Sequence, residues 1–261
     1  MTHLGIPELT AIAVGLVGGL LSGIFGIGGG IVLVPLLGLL LGLSQQDAQG
    51  VTLAALLLPI GLPAVLAYRK RVVIPWRLVA ALIAGFVAAV GPGARLATGM
   101  DGRLLRAIFS VMIVAVAVRM WRQAAGRAAT APSRAAPGPS AWNGLWIGAI
   151  GGFLAGLLGI GGGIVMIPLL VASMRLDQRE AQAVSLAVML PPVGLPGVLA
   201  YARAGDSLPW AVMALVAAGF AAGALAGARV AVGARTTTLA RGFALFLVAV
   251  AARLAWSSLR D

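Results

Sequence analysis

Backbone amides, rather than reactive side chains, are the groups with which this sequence could bind a ligand. Two apolar stretches are each interrupted by three successive glycines, at 28–30 and at 161–163. Glycine leaves the backbone uncovered, and the first amides of a helix have no partner within that helix. A helix that starts at such a break therefore offers N–H groups and the positive end of its dipole to an anion. The candidate donors are Gly28, Gly29, Gly30, Gly161, Gly162 and Gly163.

Short polar side chains follow each break. Gln49 and Thr52 come after the first break, and Gln182 and Ser185 come after the second. Because positions i and i+3 share one face of a helix, each pair could complete a shell of amide and hydroxyl donors around an oxyanion. The alternative for the two hydroxyls is a hydrogen bond to their own helix backbone, which is common in membrane helices. The sequence leaves both open.

Both breaks belong to an internal repeat. Residues 25–32 are matched by 158–165 at an offset of 133, and Pro35 is matched by Pro168. Small residues can also serve close packing between helices. The duplication of three successive glycines together with the following helix favours a binding role over packing alone.

Close packing is the better interpretation of two other glycine pairs. Gly15 with Gly19, and Gly219 with Gly223, each have the Gly-x-x-x-Gly spacing that lets membrane helices approach each other. We therefore expect these four glycines to lie at helix contacts.

The repeat continues through the next apolar segment, where Tyr68 also matches Tyr201 at the same offset. Four matched prolines in this segment should kink its helix. The kinks could serve packing or a gating motion, and the sequence does not separate these. The prolines are Pro59, Pro63, Pro192 and Pro196.

The composition is that of a membrane protein. Hydrophobic residues make up 61% of the 261-residue chain and charged residues only 10%, against about 45–50% and about 25% in soluble domains. Apolar runs long enough to cross a bilayer recur along the chain. The net charge of +12 comes from basic residues between these runs, where they orient helices and meet anionic lipid, so a nucleic-acid partner is not expected.

The pattern predicts an all-α polytopic membrane protein with two repeats of about five helical segments. We divide it into a first transmembrane repeat at 1–122, a linker at 123–141 that is rich in Ala, Pro, Gly and Ser, and a second repeat at 142–261. The expected segments are 9–25, 31–43, 48–68, 77–96 and 103–120, then 143–158, 164–174, 179–202, 209–230 and 236–256.

An odd number of crossings per repeat would place the second repeat upside down relative to the first, an arrangement found in transporters. If all ten segments cross, thirteen of the nineteen basic residues lie on one side, which the positive-inside rule assigns to the cytoplasm. Both termini would then lie outside. The short segments 31–43 and 164–174 decide the count, and the sequence does not show whether they cross fully.

Catalytic and metal-binding groups are scarce. The chain has no cysteine, one histidine (His3) and seven acidic residues, whereas an enzyme would need a nucleophile with a base, a metal cluster or paired carboxylates. We predict no enzymatic activity, no cofactor and no metal site.

On its paired motifs the chain resembles the TauE/SafE family of membrane transporters, the sulfite exporter or anion permease group. The resemblance covers nearly the whole chain and rests on 26–30 with Pro35 and on 159–163 with Pro168. The hydroxyl residues described above also fall where the family tends to carry Ser or Thr. The resemblance implies transport of sulfite, sulfonates and related small organic anions, usually outward across the bacterial inner membrane.

The leading hypothesis is a secondary transporter that exports a small anion. An anion leaving a negative-inside cell gains about 2.3 kcal/mol per charge per 100 mV, so the membrane potential alone could drive export. Proton coupling usually leaves an Asp, Glu or His within a span, and we find none there. The alternatives are a channel-like anion pore and a proton-coupled organic-anion permease. A homodimer is left open.

Overall fold

The computed structural model describes residues 6–25, 29–59, 62–69, 72–124, 140–204, 210–231 and 236–260. These residues form twelve α-helices and, within these ranges, no strand, which confirms the predicted all-α class. Residues 125–139 of the predicted linker lie outside the described part. The helices are α1 (Ile6–Phe25), α2 (Gly30–Leu41), α3 (Gln45–Ala55), α4 (Leu62–Arg69), α5 (Trp76–Thr98), α6 (Gly102–Ala124), α7 (Ala141–Leu158), α8 (Gly163–Met174), α9 (Gln178–Val188), α10 (Leu195–Ala204), α11 (Trp210–Ala231) and α12 (Thr236–Arg260).

Five of the described helices, α1, α5, α6, α7 and α11, are long and apolar enough to cross a membrane. Their lengths fit the hydrocarbon thickness of about 30 Å. This confirms the prediction of a multi-pass membrane protein.

The two helices that follow the glycine breaks are short, as predicted. Helices α2 and α8 each have 12 residues, or about 18 Å, and each begins at the third glycine of its motif. Gly29 and Gly162 are the N-caps, and neither N-cap makes a side-chain capping hydrogen bond.

The third segment of each repeat differs from the prediction. Instead of one kinked helix at 48–68, the chain forms α3 and α4, and residues 56–59, which follow α3, are not helical. The segment predicted at 179–202 is likewise divided into α9 and α10. The described part of each repeat therefore contributes six helices, three of which are shorter than 13 residues.

The matched prolines explain the division. Pro59 and Pro192 lie exposed in the two connections, where they end any continuation of the preceding helix. Pro63 and Pro196 are the second residues of α4 and α10, where a missing backbone N–H removes no helical hydrogen bond. The prolines therefore end one helix and start the next, rather than kinking a continuous one.

The long helices pack between repeats through glycine. On α1, Gly15 and Gly19 lie so close to α11 that a Cβ atom on either would overlap the carbonyl oxygens of Val216 and Phe220 respectively. The residue numbers rise together on both helices, so α1 and α11 run parallel. This confirms the packing role predicted for Gly15 and Gly19, and Gly219 and Gly223 face α1 in the same way.

Helices α5 and α7 form the equivalent pair. Gly148 of α7 lies against the carbonyl group of Leu82, and Gly156 lies against that of Val90, so this pair is also parallel. The first helix of each repeat thus packs on a long helix of the other repeat, and each of the two hydrophobic core clusters contains residues from both repeats.

Helices α6 and α12, which occupy equivalent places in the two repeats, pack against each other. The guanidinium carbon of Arg241, near the start of α12, lies 6.0 Å from the ring centroid of Trp121, near the end of α6, a cation–π distance. The two helices therefore run antiparallel.

Candidate functional site

The two glycine breaks lie against each other. A Cβ atom built at Gly30 would lie 2.6 Å from the carbonyl oxygen of Gly159 and in overlap with the Cα atom of Ile160. No side chain fits between these backbones, so glycine is required at position 30. Gly28 lies outside the described residues.

The second break uses left-handed backbone to leave one helix and start the next. Gly159 ends α7 with φ 67°, and Gly161 has φ 75°, values that side-chain-bearing residues rarely adopt. Only four residues separate the end of α7 from the start of α8. The start of α8 is thereby held beside the end of α7.

The first turn of α8 exposes amides without helical partners. Its earliest backbone bonds run from Val165 and Met166 to the carbonyl oxygen of Gly162, at 3.1 and 2.8 Å. The preceding amides of Gly163 and Ile164 have no carbonyl one turn earlier to bond. They stand at the positive end of the helix dipole.

The start of α2 repeats this arrangement. Val32 and Leu33 donate to the carbonyl oxygen of Gly29, at 3.1 and 2.9 Å, which leaves the amides of Gly30 and Ile31 in the equivalent position. The structure therefore juxtaposes two helix starts of the same construction.

Two aromatic rings that the sequence reasoning did not select pack on the middle glycine of each break. A Cβ atom at Gly29 would lie 2.5 Å from Cζ of Phe220, and one at Gly162 would lie 3.1 Å from Cδ2 of Phe86 and overlap its Cε2. Each phenylalanine belongs to the other repeat. Gly29 and Gly162 thus have a packing role, and the signal that could have found it is the match of Gly85-Phe86 with Gly219-Phe220 in the repeat.

Three predicted site residues are among the five buried polar side chains of the described part. Gln49 and Thr52 are 0% exposed and Ser185 is 3% exposed. The Nε2 atom of Gln49 and the Oγ1 atom of Thr52 have no hydrogen-bond partner within that part. Thr52 therefore does not bond to its own helix backbone, which was the alternative left open by the sequence. Ser110 on α6 does make such a bond, donating to the carbonyl oxygen of Arg106 at 2.7 Å.

The polar residues reach the second break from two sides. A Cβ atom at Gly159 would lie 2.7 Å from Cα of Gln49, so α3 abuts the end of α7. The Oγ atom of Ser185 lies 3.3 Å from the position of a Cβ atom on Gly163, beside the start of α8. Gln182 is only half-buried, one turn before Ser185 on α9.

Both glutamines bond to tyrosines that the sequence reasoning matched in the repeat but did not place in the site. The hydroxyl of Tyr201 lies 2.8 Å from Oε1 of Gln49 and 2.8 Å from the carbonyl oxygen of Gly156, and its single proton bonds to one of these at a time. The hydroxyl of Tyr68 donates to Oε1 of Gln182 at 3.0 Å. Each tyrosine–glutamine bond joins the two repeats, so only the folded chain shows the pairing.

Comparison with known proteins assigns the family. The family model described as sulfite exporter TauE/SafE matches residues 11–254. The chain belongs to the TauE/SafE family. The resemblance drawn from the paired glycine motifs is confirmed.

Two curated proteins similar to this TauE/SafE chain are each named a probable membrane transporter protein. The one from Methanocaldococcus jannaschii is 28% identical over 74% of this chain and 72% of its own length. The one from Haemophilus influenzae is 28% identical over 93% of this chain and 96% of its own length. No solved structure matches the chain. Family and helices together make this chain a multi-pass membrane transporter.

Among the described residues, no group of three His, Cys, Asp or Glu side chains is placed to hold a metal ion. The expectation that the protein has no enzymatic activity stays a prediction.

Proposed function

We propose that this TauE/SafE transporter is a secondary carrier that exports a small anion, sulfite or a sulfonate, across the bacterial inner membrane. The observation that carries the proposal is the pair of fully buried polar side chains Gln49 and Thr52, the second with an unpartnered Oγ1, on the helix that abuts the joined breaks. Leaving such groups unpaired costs about 1–3 kcal/mol each. An oxyanion between the breaks would accept from them and from the helix-start amides.

The antiparallel packing of α6 on α12 supports an inverted relation between the repeats. A two-fold axis in the membrane plane reverses the direction of every helix it relates, whereas an axis along the membrane normal preserves it. Equivalent helices that run antiparallel fit the first case. The binding site would then lie between two helix starts that approach it from opposite sides of the membrane.

The proposed driving force is the membrane potential. All five buried polar side chains of the described part, Gln45, Gln49, Thr52, Ser110 and Ser185, are neutral, and a proton-coupled carrier usually has an ionisable residue within its spans. An exported monoanion gains about 2.3 kcal/mol per 100 mV, negative inside. We therefore expect uncoupled export, with proton-coupled uptake as the less favoured alternative.

Flux into proteoliposomes tests the proposal. Purified protein would be reconstituted with sulfite or methanesulfonate on one side, and the potential would be set with a potassium gradient and valinomycin. We expect saturable flux whose direction follows the potential, and exchange of labelled for unlabelled anion. Flux that does not depend on the potential would exclude the potential-driven mechanism, and non-saturating flux without exchange would indicate a channel.

A further inference from the structure

The two tyrosine–glutamine pairs are equivalent in the repeat but differ in how tightly they are enclosed. Tyr201 is 2% exposed and Gln49 is 0% exposed, and the Tyr201 hydroxyl has a second acceptor in Gly156. Tyr68 and Gln182 are both partly exposed, and a single longer bond joins them. One pair is therefore fully enclosed and the other is partly exposed.

The helix that carries Tyr201 belongs to the second repeat but is seated on the first. Gly197 of α10 faces Leu53, whose Cδ1 lies 3.2 Å from the position of a Cβ atom on the glycine, and Val90 of α5, whose Cγ2 lies at 3.0 Å. Leu53 is 2% exposed beneath α10. The repeat equivalent of Leu53 is Leu186 on α9, and this residue is partly exposed.

We propose that Tyr201 and Tyr68 are the two gate-positioning residues of the carrier. Each holds a half-helix, α10 or α4, over the site by bonding the glutamine of the other repeat. In this structure the Tyr201 gate is closed, and the Tyr68 gate, whose bond to Gln182 is also formed, is the more exposed of the two. Because the repeats are equivalent in sequence, an exchange of these two arrangements would open the site to the opposite side of the membrane.

The same bonds orient the site. A glutamine whose Oε1 accepts from a tyrosine hydroxyl turns its Nε2 donor away from that tyrosine. When the bond between tyrosine and glutamine breaks, the half-helix can therefore move and the Nε2 donor can reorient at the same time. This inference rests on the proposed carrier function, since it assigns the gates of the proposed anion site.

Thiol labelling tests the gates without measuring transport. The chain has no cysteine, so Leu53→Cys and Leu186→Cys each introduce a single reporter at equivalent positions. A membrane-impermeant maleimide would be added to right-side-out and to inside-out vesicles. We expect Cys at 186 to react from one side only, and Cys at 53 to react slowly from both.

Removal of one hydroxyl should then open one gate. In the Tyr201→Phe background we expect Cys at 53 to react with the maleimide about five-fold faster or more, the factor expected from loss of one net hydrogen bond. It should react from the side of the membrane opposite to the side that labels Cys at 186. The matched control, Tyr68→Phe, should leave the labelling of 53 unchanged. An unchanged rate at 53 in Tyr201→Phe, or labelling of both positions from the same side, would overturn the proposal.

A cross-link provides a second test that does not depend on the folding of Tyr201→Phe. Cysteines replacing Val90 and Gly197 should join α5 to α10, because Cγ2 of Val90 lies 3.0 Å from the position of a Cβ atom on Gly197, and a disulfide needs two Cβ atoms about 3.5–4.5 Å apart. Oxidation should abolish sulfite flux and a reductant should restore it, with the reduced double variant as its own control. Equal flux in both redox states would refute a moving α10. If unmodified protein carries no anion, the carrier proposal fails instead, whatever the labelling shows.

Discussion

Gly30 and Gly163 occupy equivalent positions in the repeat but have different neighbours. A methyl group at Gly30 would meet the backbone of Ile160 and of Gly159, which cannot move aside, whereas one at Gly163 would meet only the hydroxyl of Ser185 at 3.3 Å. We expect Gly30→Ala to cost about 1–3 kcal/mol, the usual cost of overpacking, and Gly163→Ala to remain close to the parent.

The measurement is the apparent melting temperature of each variant in detergent, alongside sulfite flux. Equal losses in both variants would mean that the breaks do not touch as described. If both variants kept the melting temperature of the parent, the conclusion would be the same.

Thr52→Val separates function from stability. The substitution keeps the shape of the side chain and removes a hydroxyl that has no partner in the described part, so we expect unchanged or higher thermal stability, by about 1 kcal/mol. We also expect a raised KM for the anion, because a ligand donor is lost. Ser110→Ala, which removes a hydroxyl bonded within α6, is the control and should leave the KM unaltered.

The roles of individual residues were predictable from the sequence only where they depend on neighbours within the same repeat. The small polar residues after each break were identified from type and spacing, and three of them are buried. The hydroxyls of Tyr68 and Tyr201 were missed as site groups because their partners lie 114 and 152 residues away. No local pattern specifies such a distant acceptor.

At the scale of helices, replacing glycine by alanine should change thermal stability in opposite directions on two helix surfaces. Gly223 of α11 lies against the carbonyl group of Leu16, whereas a Cβ atom on Gly242 of α12 has nothing within 4 Å. Alanine is favoured over glycine in a helix by roughly 0.5–1 kcal/mol, so Gly242→Ala should raise the melting temperature. Gly223→Ala should lower it, since the parallel pair must separate. Thermal unfolding of the two variants in detergent would show whether the signs differ.

Element boundaries followed hydropathy except where proline intervened. The segments 48–68 and 179–202 are continuously apolar enough to predict one helix each, and hydropathy does not distinguish a kink from a break. Two prolines four residues apart, at 59 and 63 and again at 192 and 196, leave room to end one helix and begin another. Spacing of this kind is the signal that should have favoured two half-helices.

For the whole molecule, the charge distribution predicts the orientation. With thirteen basic residues on one side and six on the other, both termini should lie outside and the 123–141 linker in the cytoplasm. A fluorescent or phosphatase reporter fused after residue 261 or inserted at residue 130 would measure this. Phosphatase activity at the C-terminus but not in the linker is the expected pattern. The reverse would invert the orientation, and activity at both places would refute ten crossings.

The overall class of the molecule was predictable, but the way its repeats combine was not. Composition and segment length sufficed for an all-α membrane protein with short helices after the breaks. The exchange of partners, in which α1 packs on α11 and α5 on α7, was not predictable. A glycine-lined face shows that a helix packs closely, but it does not show which helix it meets.

This exchange also has a consequence for biosynthesis. Phe25 ends α1 and Trp210 begins α11, so at about 5–20 residues per second roughly 10–40 s pass before the ribosome has made the partner of α1. During that interval the glycine face of α1 meets lipid or an insertion factor. A nascent chain stalled after the first repeat should therefore remain susceptible to proteolysis and quality control, and its maturation should begin only when the last long helices enter the bilayer.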